Sequence, residues 1–296
     1  MNNNHPLKGH AAIFTANAIF GLGVPVTKAL LDSWVTPMGY MASRSFFAAL
    51  IFWVIAAFLP KERVERKDLW LMMLGGLVGF VASQTLTAWA LNLTSPVYFS
   101  LIAALTPVAV MLMAALFIGE RVTWLKSLGV ALGIAGALVM LVRGWQSGSG
   151  SNDVWGIILA VLSLLTWAVY LILTRTISQK YTAVTQMKWF FLVAAVITVP
   201  WALITEPTQP LYSAAWGWSG VLEMAFIVLG ATVFGYFLIP YAMKFLRATT
   251  VSIYTNLQPV VASAVAIWLG QDVWTWDKPL AAALVLLGAW LVTKEK

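Results

Sequence analysis

Long uncharged apolar runs alternate with short polar connections along the whole chain. Ten runs can be drawn, at about 10–31, 36–59, 69–91, 95–118, 124–142, 154–174, 184–203, 219–241, 249–269 and 279–293, the last being the shortest. They are apolar on all faces rather than along one stripe. Most approach the roughly 20 residues that a helix needs to cross about 30 Å of hydrocarbon. A soluble α/β protein would show helices with one polar face, and almost none is present. Pro37 and Pro96 stand at run starts, where a missing N–H costs little. The pattern predicts an all-α polytopic membrane protein with ten transmembrane helices.

Composition agrees. Of 296 residues, 61% are hydrophobic and 10% charged, against about 25% charged in soluble domains. There is no cysteine, which excludes disulfides and thiolate metal sites. No cleavable leader is expected, because Met1–Lys8 carries one lysine and the first run lacks a small-x-small cleavage site.

The net charge of +7 would suggest nucleic acid in a soluble protein. Here its placement decides. With the N-terminus in the cytoplasm, inner segments hold Lys8, Lys61, Arg63, Arg66, Lys67, Arg121, Lys126, Arg175, Lys180, Lys244, Arg247, Lys294 and Lys296. The outer side holds Lys28, Arg143 and Lys278. This is the positive-inside bias, with both termini cytoplasmic. The charge therefore reads as topology and contact with anionic lipid, not as a nucleic-acid surface. Trp34, Trp70, Trp124, Trp155, Trp218 and Trp276 lie near run ends, where membrane-interface aromatics collect.

The chain also repeats itself. LTAWALNLTSPVYFSLIAALTPVAV (Leu86–Val110) resembles LIPYAMKFLRATTVSIYTNLQPVVA at a spacing of 152, which sets Ser100 on Ser252 and Pro107 on Pro259. Near the front, Phe20 falls on Trp167 and Lys28 on Arg175 at a spacing of 147. Two units follow, residues 1–143 and 153–296, joined by a linker at 144–152 (GWQSGSGSN). Each has five spans. Five is odd, so the second unit enters from the opposite side and the repeats are inverted, as in many secondary carriers.

Gly21 and Lys28, SRSFFAALI around Arg44, SPVYFSLIAALTPVAVMLMAALFIGE (Ser95–Glu120), LGVALGIAGALVML and the late LVLLGAW together resemble the ten-span drug/metabolite transporters built from two EamA-type units. The resemblance covers about 10–293. It implies an inner-membrane carrier, often an exporter of amino acids, some of them aromatic, or of nucleosides or drugs. It further implies that the fifth and tenth spans are peripheral and the others surround a central cavity. Two departures stand out: Gly270–Gln271 replaces the first unit's Gly119–Glu120, and Phe190 aligns with Arg44.

Candidate transport residues are the polar and aromatic groups inside spans. Arg44 costs several kcal/mol at its depth unless paired or near water; it either attracts a carboxylate or is structural. Glu223 lies at comparable depth and is the one interior candidate for proton coupling, by itself or paired with Arg44. Asn17, Gln84, Asn256 and Gln258 are buried amides that must find hydrogen bonds, in a cavity or between helices. Trp89, Tyr98, Trp167, Tyr170 and Tyr254 either line an aromatic cavity or pack. Pro107 and Pro259 free backbone carbonyls one turn back, so the fourth and ninth spans should bend there.

No catalytic, metal or cofactor motif appears: the only histidines, His5 and His10, are N-terminal, and there is no HExxH and no Walker A. The expectation is a non-enzymatic secondary transporter without cofactor, probable substrates being small metabolites such as amino acids. Nucleosides or drug-like solutes are the alternative cargo, and a non-transporting receptor the alternative class. Membrane lipids are its surroundings, and a monomer suffices for the layout.

Overall fold

Side-chain N-caps start several helices. Thr36 is the N-cap of one, its hydroxyl accepting the Gly39 N–H at 3.2 Å, with Pro37 first in the helix. Ser95 and Pro96 repeat the device, the serine accepting from the Tyr98 N–H at 3.3 Å. Thr182 caps a third helix through the Thr185 N–H. Each cap satisfies a backbone donor that the helix leaves unpaired.

The computed structural model describes residues 5–118, 123–125, 127–129, 131–132, 135–136, 139, 150–271 and 274–294, and these are helical apart from short connections. The helices are α1 (His5–Ser33), α2 (Pro37–Ala57), α3 (Arg66–Leu93), α4 (Pro96–Ala103) and α5 (Thr106–Ile118). Then come α6 (Gly150–Ser178), α7 (Ala183–Thr205), α8 (Trp218–Met243), α9 (Ala248–Ile253), α10 (Leu257–Trp268) and α11 (Asp277–Lys294). Among the described residues, eight helical spans are long and apolar enough to cross a membrane. About half of the expected fifth span, 124–142, falls outside the described residues, and α11 occupies the expected tenth.

Both proline-marked spans break as expected. The fourth is interrupted between α4 and α5 at Ala104–Leu105, and the Thr106 hydroxyl donates to the Ala103 carbonyl that Pro107 leaves without its N–H. The ninth is interrupted by a tight turn at Tyr254–Asn256, between α9 and α10. A second pairing was not legible. α3 widens into a π-helix at Leu77–Ala82, and α8 does so at Phe226–Gly235. Shifted by the repeat spacing of 152, the first segment falls inside the second.

The polarity of the bundle runs opposite to that of a soluble protein. Phe58, Leu116 and Trp268 are exposed, while Asn17, Arg44, Ser45, Ser83, Thr198 and Thr232 are buried. Lipid tails tolerate the former, and the latter find partners inside. Ser45 and Thr198 meet at 2.6 Å, joining α2 to α7. Close approach also needs glycine. A methyl on Gly76 would lie 2.5 Å from the Phe190 carbonyl oxygen, and one on Gly79 would overlap the Tyr170 ring. Thus α3 rests directly on α6 and α7.

Candidate functional site

The main cavity lies between the two halves of the chain, walled by α1–α6, α8, the turn at Thr255 and Gln258 of α10. Its empty volume is about 780 Å³, counting the open space at its mouth. Its residues come from the C-terminal half of α1 and the N-terminal part of α2. It therefore lies towards the end of the bundle away from the N-terminus.

Arg44 is the cavity's charged residue. It is 3% exposed. Its Nε donates to the Thr232 hydroxyl at 2.8 Å, and Nη1 donates to Gln84 Oε1 at 3.2 Å. The rings of Tyr40 and Phe80 each lie 5.0 Å from its guanidinium carbon. Thr232 is positioned by the wide helix, since its own hydroxyl donates five residues back to the Ile227 carbonyl. Thr232 and Gln84, which hold Arg44, are both neutral. Hydroxyl pairs line the walls: Thr27 with Tyr40 at 2.8 Å, and Thr87 with Ser163 at 2.7 Å.

Aromatic rings form the floor. Trp167 and Tyr236 line the cavity and meet at 5.7 Å between centroids. Beneath them Tyr170, Phe190, Phe191 and Phe80 pack edge-on or tilted, at centroid distances of 5.0–6.1 Å. Beyond this layer, polar contacts tie the halves together. His10 Nδ1 meets the Tyr254 hydroxyl at 2.8 Å, and Arg175 and Gln179 both donate to the Met243 carbonyl. Asp68 accepts from Lys180 at 3.0 Å and from the Tyr181 hydroxyl at 2.9 Å. These contacts join the two halves on the N-terminal side of the cavity.

The model of the EamA-like transporter family matches residues 7–142 and again 154–294. The chain belongs to the EamA-like transporter family. Among curated relatives of this family member is a probable terminal-alkyne amino-acid exporter of Streptantibioticus cattleyicolor, 29% identical, the match covering 87% of this chain and 84% of that one. An aromatic amino acid exporter, YddG, of Ancylobacter novellus is 24% identical over 76% and 75%. The uncharacterized inner membrane transporter YedA of Escherichia coli is 24% identical over 98% and 92%. A solved crystal structure with 20% identity covers 99% of this chain and 98% of its own at a TM-score of 0.68, which shows a shared fold. The protein is a multi-pass membrane transporter.

In this EamA-like transporter, Arg44, Gln84, Trp167 and Gln258 line the cavity. Asn17 sits behind the wall, accepting from Gln258 Nε2 at 2.8 Å and donating to the Ile13 carbonyl. It positions Gln258. Tyr170 is wholly buried under Trp167. Tyr254 bonds His10 on the N-terminal side. Trp89 is off the cavity and 38% exposed. Tyr98 is half-buried against the core, and Asn256 is half-buried with Oδ1 lacking a partner among the described residues. Neither lines the cavity. The expected pairing of Glu223 with Arg44 is not formed. Among the described residues, the ion pairs are Lys28–Asp32 and Lys180–Asp68.

Sequence reasoning missed Tyr236, Tyr40, Thr27 and Ser163 as cavity residues. Ser163 was within reach, since it lies one helical turn before Trp167 and shares its face. Tyr236 and Tyr40 carried no such signal, because their helices are apolar all round.

Proposed function

We propose that the protein is a secondary exporter of small metabolites, amino acids and aromatic ones among them, working by alternating access through this cavity. The observation that carries the reading is a cavity between the two family segments that holds one guanidinium together with a layer of aromatic rings. A carboxylate suits the guanidinium, and an apolar or aromatic body suits the rings. Arg44, Gln84, Trp167 and Gln258 contact the solute in this reading, with Asn17, Tyr98, Tyr170, Tyr254 and Asn256 supporting them from the packed shell. Trp89 has no direct role in this arrangement.

The layout is ten spans in two inverted five-helix units, 1–143 and 153–296, with 144–152 as linker. Two family matches, paired breaks at prolines and paired π-helices support it. The setting is a bacterial inner membrane with both termini in the cytoplasm, supported by the basic inner segments. The cavity then faces outward in this structure, and the aromatic floor is the inner gate. Glu223 is the proton-coupling candidate: it lies one turn from cavity-lining Ile227, and its Oε2 is buried without a partner among the described residues.

The test is uptake and counterflow in proteoliposomes, using labelled amino acids, nucleosides and organic cations, with and without a pH gradient. Saturable amino-acid flux that falls in Trp167→Ala is expected. Absence of flux for every solute, with correctly inserted and folded protein, refutes the carrier reading. Flux that ignores the pH gradient refutes coupling through Glu223.

A further inference from the structure

We propose that the cavity recognises a carboxylate but not an ammonium group. On the transporter reading above, its cargo is then the monocarboxylates as a class, and amino acids enter through their carboxylate alone. Arg44 supplies the attraction. Two of its five N–H donors are engaged, with Thr232 and Gln84, and both acceptors are neutral. A guanidinium at this depth is held by weak partners and lacks a counter-ion. A carboxylate fits it two-pronged. A second buried group points the same way. Tyr236 lines the cavity, and its buried hydroxyl lies beside Arg44, the one group within hydrogen-bonding reach of it, with no hydrogen bond of ordinary geometry among the described residues. An O–H donor next to a guanidinium complements an anion.

An ammonium group meets no such welcome. Among the described residues, no aspartate or glutamate lines the cavity. Gln84 Oε1 already accepts from Arg44, Thr27 pairs with Tyr40 and Thr87 with Ser163, and Ser83, Thr106 and Thr255 donate to backbone carbonyls. Bringing a second cation in beside Arg44 adds repulsion and desolvation without a counter-charge. Glu223 is the nearest carboxylate along α8, one turn beyond Ile227, and it stands outside the lining.

Four ligands of nearly one shape separate the terms: 3-phenylpropionate, 3-phenylpropanamide, 2-phenylethylamine and phenylalanine. Binding is measured by calorimetry on the full chain in lipid nanodiscs at neutral pH. The expected result is 3-phenylpropionate at least about tenfold tighter than the amide or the amine, as a charge-assisted contact requires. Phenylalanine should bind no more tightly than 3-phenylpropionate, because its ammonium group adds repulsion beside Arg44 and gains no counter-charge. Arg44→Gln should bring acid and amide together, while Arg44→Lys keeps part of the gap. Equal binding of acid and amide, tighter binding of the amine, or no binding of either acid overturns the proposal. So does phenylalanine binding tenfold tighter than 3-phenylpropionate; loss of that excess in Glu223→Gln would then name the ammonium partner. A carboxylate that binds with this preference but is never moved in proteoliposomes overturns the carrier reading and leaves the recognition intact.

Discussion

Tyr236→Phe removes one oxygen from the cavity floor and little else. The ring contacts are made by carbon: Phe20, Phe80, Phe190, Phe191 and Trp167 surround Tyr236 at centroid distances of 5.5–5.8 Å. Phenylalanine keeps all of them. The hydroxyl is buried, and no described group bonds it with ordinary geometry. A polar group left in that condition costs about 1–3 kcal/mol. Removing it should therefore leave the empty protein as stable as before, or more stable by up to about 1 kcal/mol. A bound carboxylate changes the sign. If the hydroxyl donates to it, the variant loses one hydrogen bond to a charged group, about 1.5–3 kcal/mol, or roughly tenfold or more in affinity. The assay pairs thermal unfolding of the empty protein in detergent with carboxylate binding in nanodiscs. A rise or no change in unfolding temperature, together with weaker binding, is expected. A clear fall in unfolding temperature with unchanged binding would mean that the hydroxyl serves an internal partner, and would refute the reasoning.

Gly76→Ala should destabilise the bundle by about 1–3 kcal/mol, because its methyl would meet the Phe190 backbone rather than a side chain that can swing away; an unchanged unfolding temperature would contradict this packing. Glu62 gives a pH dependence outside the membrane: burial pushes its carboxyl up, but hydrogen bonds from Thr185 and Thr182 and the charge of Lys244 hold it below its ordinary value of 4.5. Its stabilisation is thus complete above 4.5 and is lost as pH falls below it, so Glu62→Gln should flatten the acid limb of an unfolding-temperature profile in detergent. Because the chain has no cysteine, single cysteines report access directly. Thr27→Cys, in the cavity, should react with a polar thiol reagent added outside cells, and Gln179→Cys, beyond the aromatic floor, should not; the reverse pattern would overturn the proposed orientation.

The spans were legible because hydrocarbon imposes a long, all-round apolar requirement that few other structures share. The helix starts at Pro37 and Pro96 and the breaks at Pro107 and Pro259 were legible because each has a local chemical cause. The cavity was only partly so. Arg44, Gln84, Trp167 and Gln258 stood out as polar or bulky groups in apolar runs and do line it. Trp89 stood out equally and does not. In a helix apolar on every face, periodicity cannot say which face meets lipid and which meets the cavity. The π-helices add to the loss, since one extra residue per turn rotates every later side chain of α3 and α8 about the axis. Trp89 follows such a segment, and so does Tyr236.

The two family segments are alike in fold but not in what they give the cavity. At the place where the first segment carries Arg44 in α2, the second carries Phe190 in α7. Arg44 reaches across to Thr232 of the second segment and back to Gln84 of the first. Phe190 instead joins the ring layer with Phe80, Tyr170 and Tyr236. A bundle with a guanidinium at both places would bury a second like charge in the ring layer beneath the cavity and raise the cost of burial without a counter-ion. With phenylalanine at the second place, the cavity has one charged pole and one apolar pole. A solute with a single anionic end and a hydrophobic body can satisfy both at once, in one orientation. Loss of symmetry at this single pair of positions is what turns a repeated scaffold into a directional site.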